Sequence, residues 1–229
     1  MIEREFDSLY PDSGDNFLEK FPTFYAPRIL RYVQECKPAV YAESTIIEDE
    51  NLRALLVLCT LMAVSNSVIT KRGKGKGKGK KRTHEERDES PVPVRSSMFP
   101  NKDLLKTVAD GTNLKNYATE LKKRQVTNIQ PYLILMKGQD CESYFIEGDN
   151  WFIDVNQNST PIAAFNILYK LFYVLNLQYP NSLQNFYNFI DCYIFKMKNV
   201  KPRSVVSSLH VTLSDILQNN DEKDDSLSD

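Results

Sequence analysis

The sequence predicts an α+β protein: a small helical N-terminal unit, a disordered basic linker, then a domain of helices plus a three-stranded antiparallel meander covered by two or three helices. Three observations lead there. Apolar residues recur at helical spacing on both sides of a tract, Lys71 to Arg82, that alternates glycine with lysine. Beyond it, three short runs of aromatic and branched residues are separated by turn sequences. After those runs the helical spacing returns, now carried largely by Phe and Tyr. The chain has 229 residues, enough for one large or two small cores, and its 12 Phe and 12 Tyr supply the bulk a core requires.

Residues 1–20 are acidic and carry no apolar h-region, so they are expected to be partly disordered and not a secretion signal. A helical unit is expected over 21–70. Pro27 suits a first helical turn, and Ile29, Leu30, Val33 and Cys36 follow at helical spacing until Lys37-Pro38 ends the run. Glu48, Asp49 and Glu50 favour the positive N-terminus of a second helix through Leu52, Leu55, Leu56, Cys59 and Met62. The apolar run Ala54 to Val64 is about half the roughly 20 residues a bilayer span needs, so no membrane partner is expected.

Residues 71–97 are expected to be disordered, because Gly, Lys, mixed charge and Pro cannot bury enough apolar surface to offset chain entropy. Order is expected again over 98–218. Leu104, Leu105 and Val108 read as a helix ending at Gly111, and Thr112 or Asn113 as the cap of another with Leu114, Tyr117, Ala118 and Leu121 on its apolar face. Pro131 to Lys137, Ser143 to Glu147 and Trp151 to Val155 form the meander, joined by Gly138-Gln139-Asp140 and Gly148-Asp149-Asn150. Ser159 or Thr160 before Pro161 starts a helix with Ile162, Phe165, Leu168, Tyr169 and Phe172 on one face. A turn at Tyr179-Pro180-Asn181 leads to a helix with Leu183, Phe186, Tyr187, Ile190, Tyr193 and Ile194. A last helix from about Arg203 precedes a disordered acidic tail, 219–229.

The segments QPYLILMKG, ESYFIEGD and IAAFNILYKLFYVLNLQYPNSLQNFYNFIDCYIF, followed by Pro202-Arg203, resemble the C-terminal region of animal sterile alpha motif domain-containing proteins and their uncharacterised, transposon-like, multi-copy relatives. Phe21-Pro22-Thr23-Phe24, Lys37-Pro38 and the helix from Asn51 to Leu61 extend the likeness upstream. This chain shows no sterile alpha motif domain, and its Gly-Lys repeat is longer than the basic linker of that family. The resemblance implies fold and ancestry, and brings no catalytic residue, ligand or cofactor with it.

The chemistry visible in the sequence is sparse. Of two histidines, His84 falls in the linker, and His210 is the one available to a nucleophile such as Cys192 or Ser207, neither of which sits in a nucleophile-elbow sequence. Cys36, Cys59, Cys141 and Cys192 lack paired metal-ligand spacing and read as reduced core thiols. Asp140, Glu142, Glu147, Asp149 and Asp154 lie in or beside the meander, where turn positions and a solvent face account for them better than catalysis does. Gly73, Gly75, Gly77 and Gly79 have the wrong separation for a phosphate loop. No cofactor motif and no catalytic set is expected, so the chain reads as a non-enzyme.

Two groups of residues carry binding expectations. Lys71, Arg72, Lys74, Lys76, Lys78, Lys80, Lys81 and Arg82 fit a nuclear-import signal read by an importin, or sequence-independent contact with nucleic-acid phosphates, or a solvated spacer. Net charge is −1, from 29 Lys and Arg against 30 Asp and Glu, so any such attraction is local. Phe189 and Phe195 deviate from the main apolar face of their helix and form a candidate partner surface. The leading expectation is a non-enzymatic intracellular interaction protein of transposon-like ancestry, nuclear rather than cytoplasmic, with a protein partner. The alternative is a nucleic-acid-associated protein that uses the linker.

Overall fold

The helix predicted to open at Pro27 is the last part of a longer rod. In the computed structural model, which describes residues 1–11, 13–63, 102–124, 130–138, 142–149, 151–155 and 159–216, α2 (Asn16–Lys20) passes through a π-helical turn, Phe21–Tyr25, into α3 (Ala26–Cys36). Before it lies α1 (Ile2–Leu9), and after it α4 (Pro38–Ser44) and α5 (Glu50–Leu61). Asp49 caps α5 by accepting from the Leu52 N–H at 2.7 Å, which satisfies one of the unpaired donors of the first turn. The linker residues Lys71 to Arg82, and the tail 219–229, lie outside the described residues.

The first 20 residues, expected to be partly disordered, carry two helices. Their acidity misled because the composition of a short segment says nothing about two well-placed aromatics: Phe6 and Phe17 are fully buried. Lys170, itself 2% exposed, holds its ammonium 3.9 Å from both Glu3 and Asp7 and 5.5 Å from the Phe6 ring centroid. Glu3 and Asp7 of α1 therefore face a buried cation.

The sheet has four strands and is mixed, in the order β1 (Leu105–Ala109), β2 (Tyr132–Lys137), β3 (Glu142–Gly148), β4 (Trp151–Val155). The expected meander is present as β2 to β4, with Tyr132 opposite Glu147 and Glu147 opposite Phe152. The correction is β1, read as a helix from Leu104, Leu105 and Val108. It runs parallel to β2, with Leu105 beside Leu133. Three apolar residues fit a helix as well as a strand over so short a span, and the ladder to β2 decides in favour of the strand. A parallel neighbour needs a crossover of a dozen or more residues, and α6 (Leu114–Arg124) lies in that crossover. Gly111, at φ +71°, takes the left-handed turn after β1, and Asn113 accepts from the Asn116 N–H at 3.1 Å to cap α6. At the β3–β4 turn the Trp151 indole occupies the space that a Cβ on Gly148 would need.

Alternation sends the two sheet faces to different partners. Leu105, Leu133, Leu135, Tyr144, Ile146 and Val155 join the main core under α7 (Pro161–Val174), while Val108, Tyr132 and Ile134 pack with Leu114, Tyr117 and Leu121 of α6. Thr160 caps α7 through the Ala163 N–H at 3.3 Å. Next come α8 (Gln184–Phe189), a π-helical turn Ile190–Phe195, and α9 (Ser204–Asp215). The main core is continuous from Phe6 to Leu213, so the helices placed in a unit of their own over 21–70 share it with α7, α8 and α9. A helical pair of that size buries too little apolar surface alone, and the aromatic faces of α7 and α8 supply the remainder. None of the described helices is long and apolar enough to cross a membrane.

Candidate functional site

The polar and aromatic groups of greatest chemical interest gather around the π-helical turn Ile190–Phe195, the loop that follows it, and α9. A π turn takes an extra residue, which changes the phase of the side chains that follow. That phase change explains Phe195. The residue deviates from a 3.6-residue face and was a candidate partner contact; it is 1% exposed, stacked 4.0 Å from Tyr169 and within 5.7 Å of Phe6. Phe189 is also fully buried, 5.4 Å from Tyr25 in an edge-on arrangement. Both are corrected from surface to core: helical segments pack against this stretch on more than one side, so Phe189 meets Tyr25 and Phe195 meets Tyr169 rather than solvent.

The turn also places Asp191, 4% exposed, where Oδ1 accepts from the hydroxyls of Tyr169 at 2.8 Å, Tyr173 at 3.0 Å and Tyr179 at 3.0 Å. Burial pushes the carboxyl above its ordinary value, and the three phenols draw it back without cancelling the rise. Burial, then the Asp191 charge, raises Tyr169, Tyr173 and Tyr179 in turn. The sequence carried one trace of this group: Tyr169 and Tyr173 are four apart on α7 and share a face.

Lys196 closes the turn in the left-handed region, at φ +56°. The loop beyond it is fastened by Asn188, whose Nδ2 donates to the Lys201 carbonyl at 3.0 Å and whose Oδ1 accepts from the Arg203 N–H at 2.9 Å. The Arg203 guanidinium donates to Asn185 Oδ1 at 2.9 Å and Gln184 Oε1 at 2.8 Å. Asn188 was missed because its partners are backbone groups more than ten residues away.

Cys192 and His210, the pairing considered for nucleophilic chemistry, line one cleft of about 450 Å3 with Phe24, Tyr25, Tyr193, Lys196, Met197 and Ser214. Their bonds run elsewhere. The Cys192 thiol donates to the Val200 carbonyl and accepts from Asn188, both at 3.7 Å, and burial followed by the Asp191 charge pushes it up. The His210 ring stacks on Tyr193 at 3.7 Å, its Nδ1 is buried without a hydrogen-bond partner, and burial pulls its pKa down. Ser207 accepts from the Tyr193 hydroxyl at 3.1 Å. The Tyr25 hydroxyl, pushed up to about 12 by burial and by Tyr193, donates to the Tyr193 carbonyl at 3.1 Å.

The meander carboxylates take separate partners. Glu142 accepts from Tyr144 at 2.9 Å, Asp149 lies 3.5 Å from Lys122, and Asp154 is exposed. Glu147, expected on a solvent face, is fully buried beneath α6, where Oε2 accepts from Tyr132 and the Lys106 ammonium sits 3.4 Å from the Tyr132 ring centroid. The face is not solvent because α6 covers it. Burial raises Glu147 and lowers Lys106, the response of groups held away from water. Asp140 lies outside the described residues. Of the cysteines described, Cys59 is buried, Cys192 half-buried and Cys36 exposed, so Cys36 is not the core thiol expected: it ends α3. Among the described residues no group of three or more His, Cys, Asp or Glu is arranged to hold a metal ion. No protein-family model, curated protein or solved structure matches the chain.

Proposed function

We propose that this protein is a non-enzymatic intracellular interaction protein, of the transposon-like ancestry its sequence resembles, in which one α+β body binds a partner and the basic linker directs the chain to the nucleus. The observation that carries this reading is the commitment of Cys192 and Asp191 to framework bonds. Cys192 spends its thiol proton on a carbonyl and is pushed away from the thiolate, the form a nucleophile needs. Asp191 is saturated on one oxygen by three phenols. Groups used this way build a rigid framework rather than a reacting centre.

The test compares the tagged full chain with a variant in which Lys71, Arg72, Lys80, Lys81 and Arg82 are changed to Gln. The wild type is expected in the nucleus and the variant in the cytoplasm, with the same protein partner recovered from both after nuclease treatment. A cytoplasmic wild type removes the import role. Loss of every partner on nuclease treatment removes the protein-interaction role.

A further inference from the structure

From Cys192 to Ser214 the chain carries Lys196, Lys198, Lys201 and Arg203 and no carboxylate. All four cations are exposed; of the acidic residues that flank this stretch, Asp191 is buried and occupied by the tyrosines, while Asp215 is exposed at its C-terminal end. The loop that bears them is not free to collapse, because Asn188 fixes Lys201 and Arg203 through the backbone and Cys192 holds Val200. Arg203 is held by neutral amides, so its charge remains available. In a protein whose charges otherwise nearly balance, this is a fixed cationic rim.

The rim meets the aromatic cleft at Lys196, whereas Arg203 lines a second cleft with Gln184, Asn188 and Asp191. Lys196 and Met197 belong to both rim and aromatic cleft, and Phe24, Tyr25, Tyr193 and His210 form the walls of that cleft, with the Arg28 guanidinium 3.7 Å from the Phe24 ring centroid adding a further cation. Among the described residues no carboxylate lines the aromatic cleft. Its volume, about 450 Å3, lies within the range of ligand pockets, roughly 300–1,000 Å3. Phosphates would meet the cations and a planar base would meet the aromatic walls, the combination by which single strands are held without sequence reading. An acidic peptide would use the cations and leave the aromatic walls idle.

We infer that the folded body carries a single-stranded nucleic-acid surface made of Lys196, Lys198, Lys201, Arg203 and the adjoining Phe24–Tyr193–His210 cleft, independent of the Gly-Lys linker. Three single-strand phosphate contacts carry a salt slope of about −2, and four a slope of about −3. Raising salt from about 50 to 200 mM then weakens binding roughly 20-fold to 50-fold.

The test uses the full-length chain and a labelled oligothymidylate of roughly 20 nucleotides. Its starting variant has all eight linker cations, Lys71 to Arg82, changed to Gln, so that failure of the linker readings leaves this measurement intact. This variant is expected to retain salt-sensitive binding. Adding Lys196→Gln, Lys198→Gln and Lys201→Gln should weaken it at least about tenfold at low salt and flatten the slope by about 2. Arg203 is kept because its bonds hold the loop, and an unchanged circular-dichroism melt verifies the fold. Thiothymidine cross-links should map to Phe24, Tyr193 or His210. Equal binding by the triple variant, absence of binding once the linker is neutral, cross-links confined to other elements, or tighter binding of a Glu-rich peptide of equal charge would each overturn the inference.

Discussion

Replacing Asp191 by Ala removes the acceptor shared by three tyrosine hydroxyls, and the cost can be worked from their burial. The Tyr169 side chain is fully buried, so its hydroxyl loses its partner with no water to replace it, at about 1–3 kcal/mol. Tyr173 and Tyr179 are half-buried and reach solvent by small rotations, at about 1 kcal/mol or less each. Relief of a desolvated charge offsets part of this, leaving roughly 3 kcal/mol, or a fall of about 6–12 °C in Tm for a protein of this size. Asp191→Asn keeps an acceptor oxygen and should cost less, about 1–2 kcal/mol. It should also alter the pH dependence. The folded carboxyl lies above its ordinary value of 3.8, so its contribution is fully present below that value and is lost as pH rises through the folded pKa. The Asn variant lacks that decline. Urea unfolding followed by Trp151 fluorescence, repeated across the acid range, measures both effects. A loss under about 1 kcal/mol for the Ala variant, or equal losses for Ala and Asn, would refute the acceptor argument.

Two further perturbations separate core from surface and fix the sign of a second titration. Phe195→Ala and Phe189→Ala should each cost about 3–5 kcal/mol in the same unfolding assay, since both rings are fully enclosed; a loss near zero would return them to the surface. His210→Phe should remove an acid sensitivity. Burial depresses the folded histidine, so its contribution is present above the ordinary value of 6.5 and is lost as pH falls through the folded pKa. The wild type should lose Tm below pH 6.5 more steeply than the variant, and parallel curves would place His210 in contact with water.

The helices were legible where a local rule settled them. Asp49 before α5, Thr160 and Pro161 at the start of α7, and Asn113 before α6 are chemical signals that act within one turn. The meander was legible because its turns and alternation lie close together in sequence. β1 was not, because it is a five-residue strand whose sheet neighbour among the described residues lies 28 positions away, at Leu133 beside Leu105. Nor was the joining of the N-terminal helices to α7: nothing local distinguishes the Phe6 that meets Phe195 edge-on from a Phe at a frayed end.

The candidate site was hidden for the opposite reason, since its residues were visible and their roles were not. Tyrosine on an aromatic stripe reads as core, and so it is here, but the hydroxyls of Tyr169, Tyr173 and Tyr179 converge on an aspartate from another helical segment and act as its solvent. That arrangement puts the acidic member of the region out of reach while the cations that follow it stay exposed. Burying one carboxylate and fastening one loop with Asn188 leaves a run of exposed cations, Lys196 to Arg203, on a fixed backbone. Counting charges along the chain cannot find such a surface, because the property belongs to which charges the fold leaves outside.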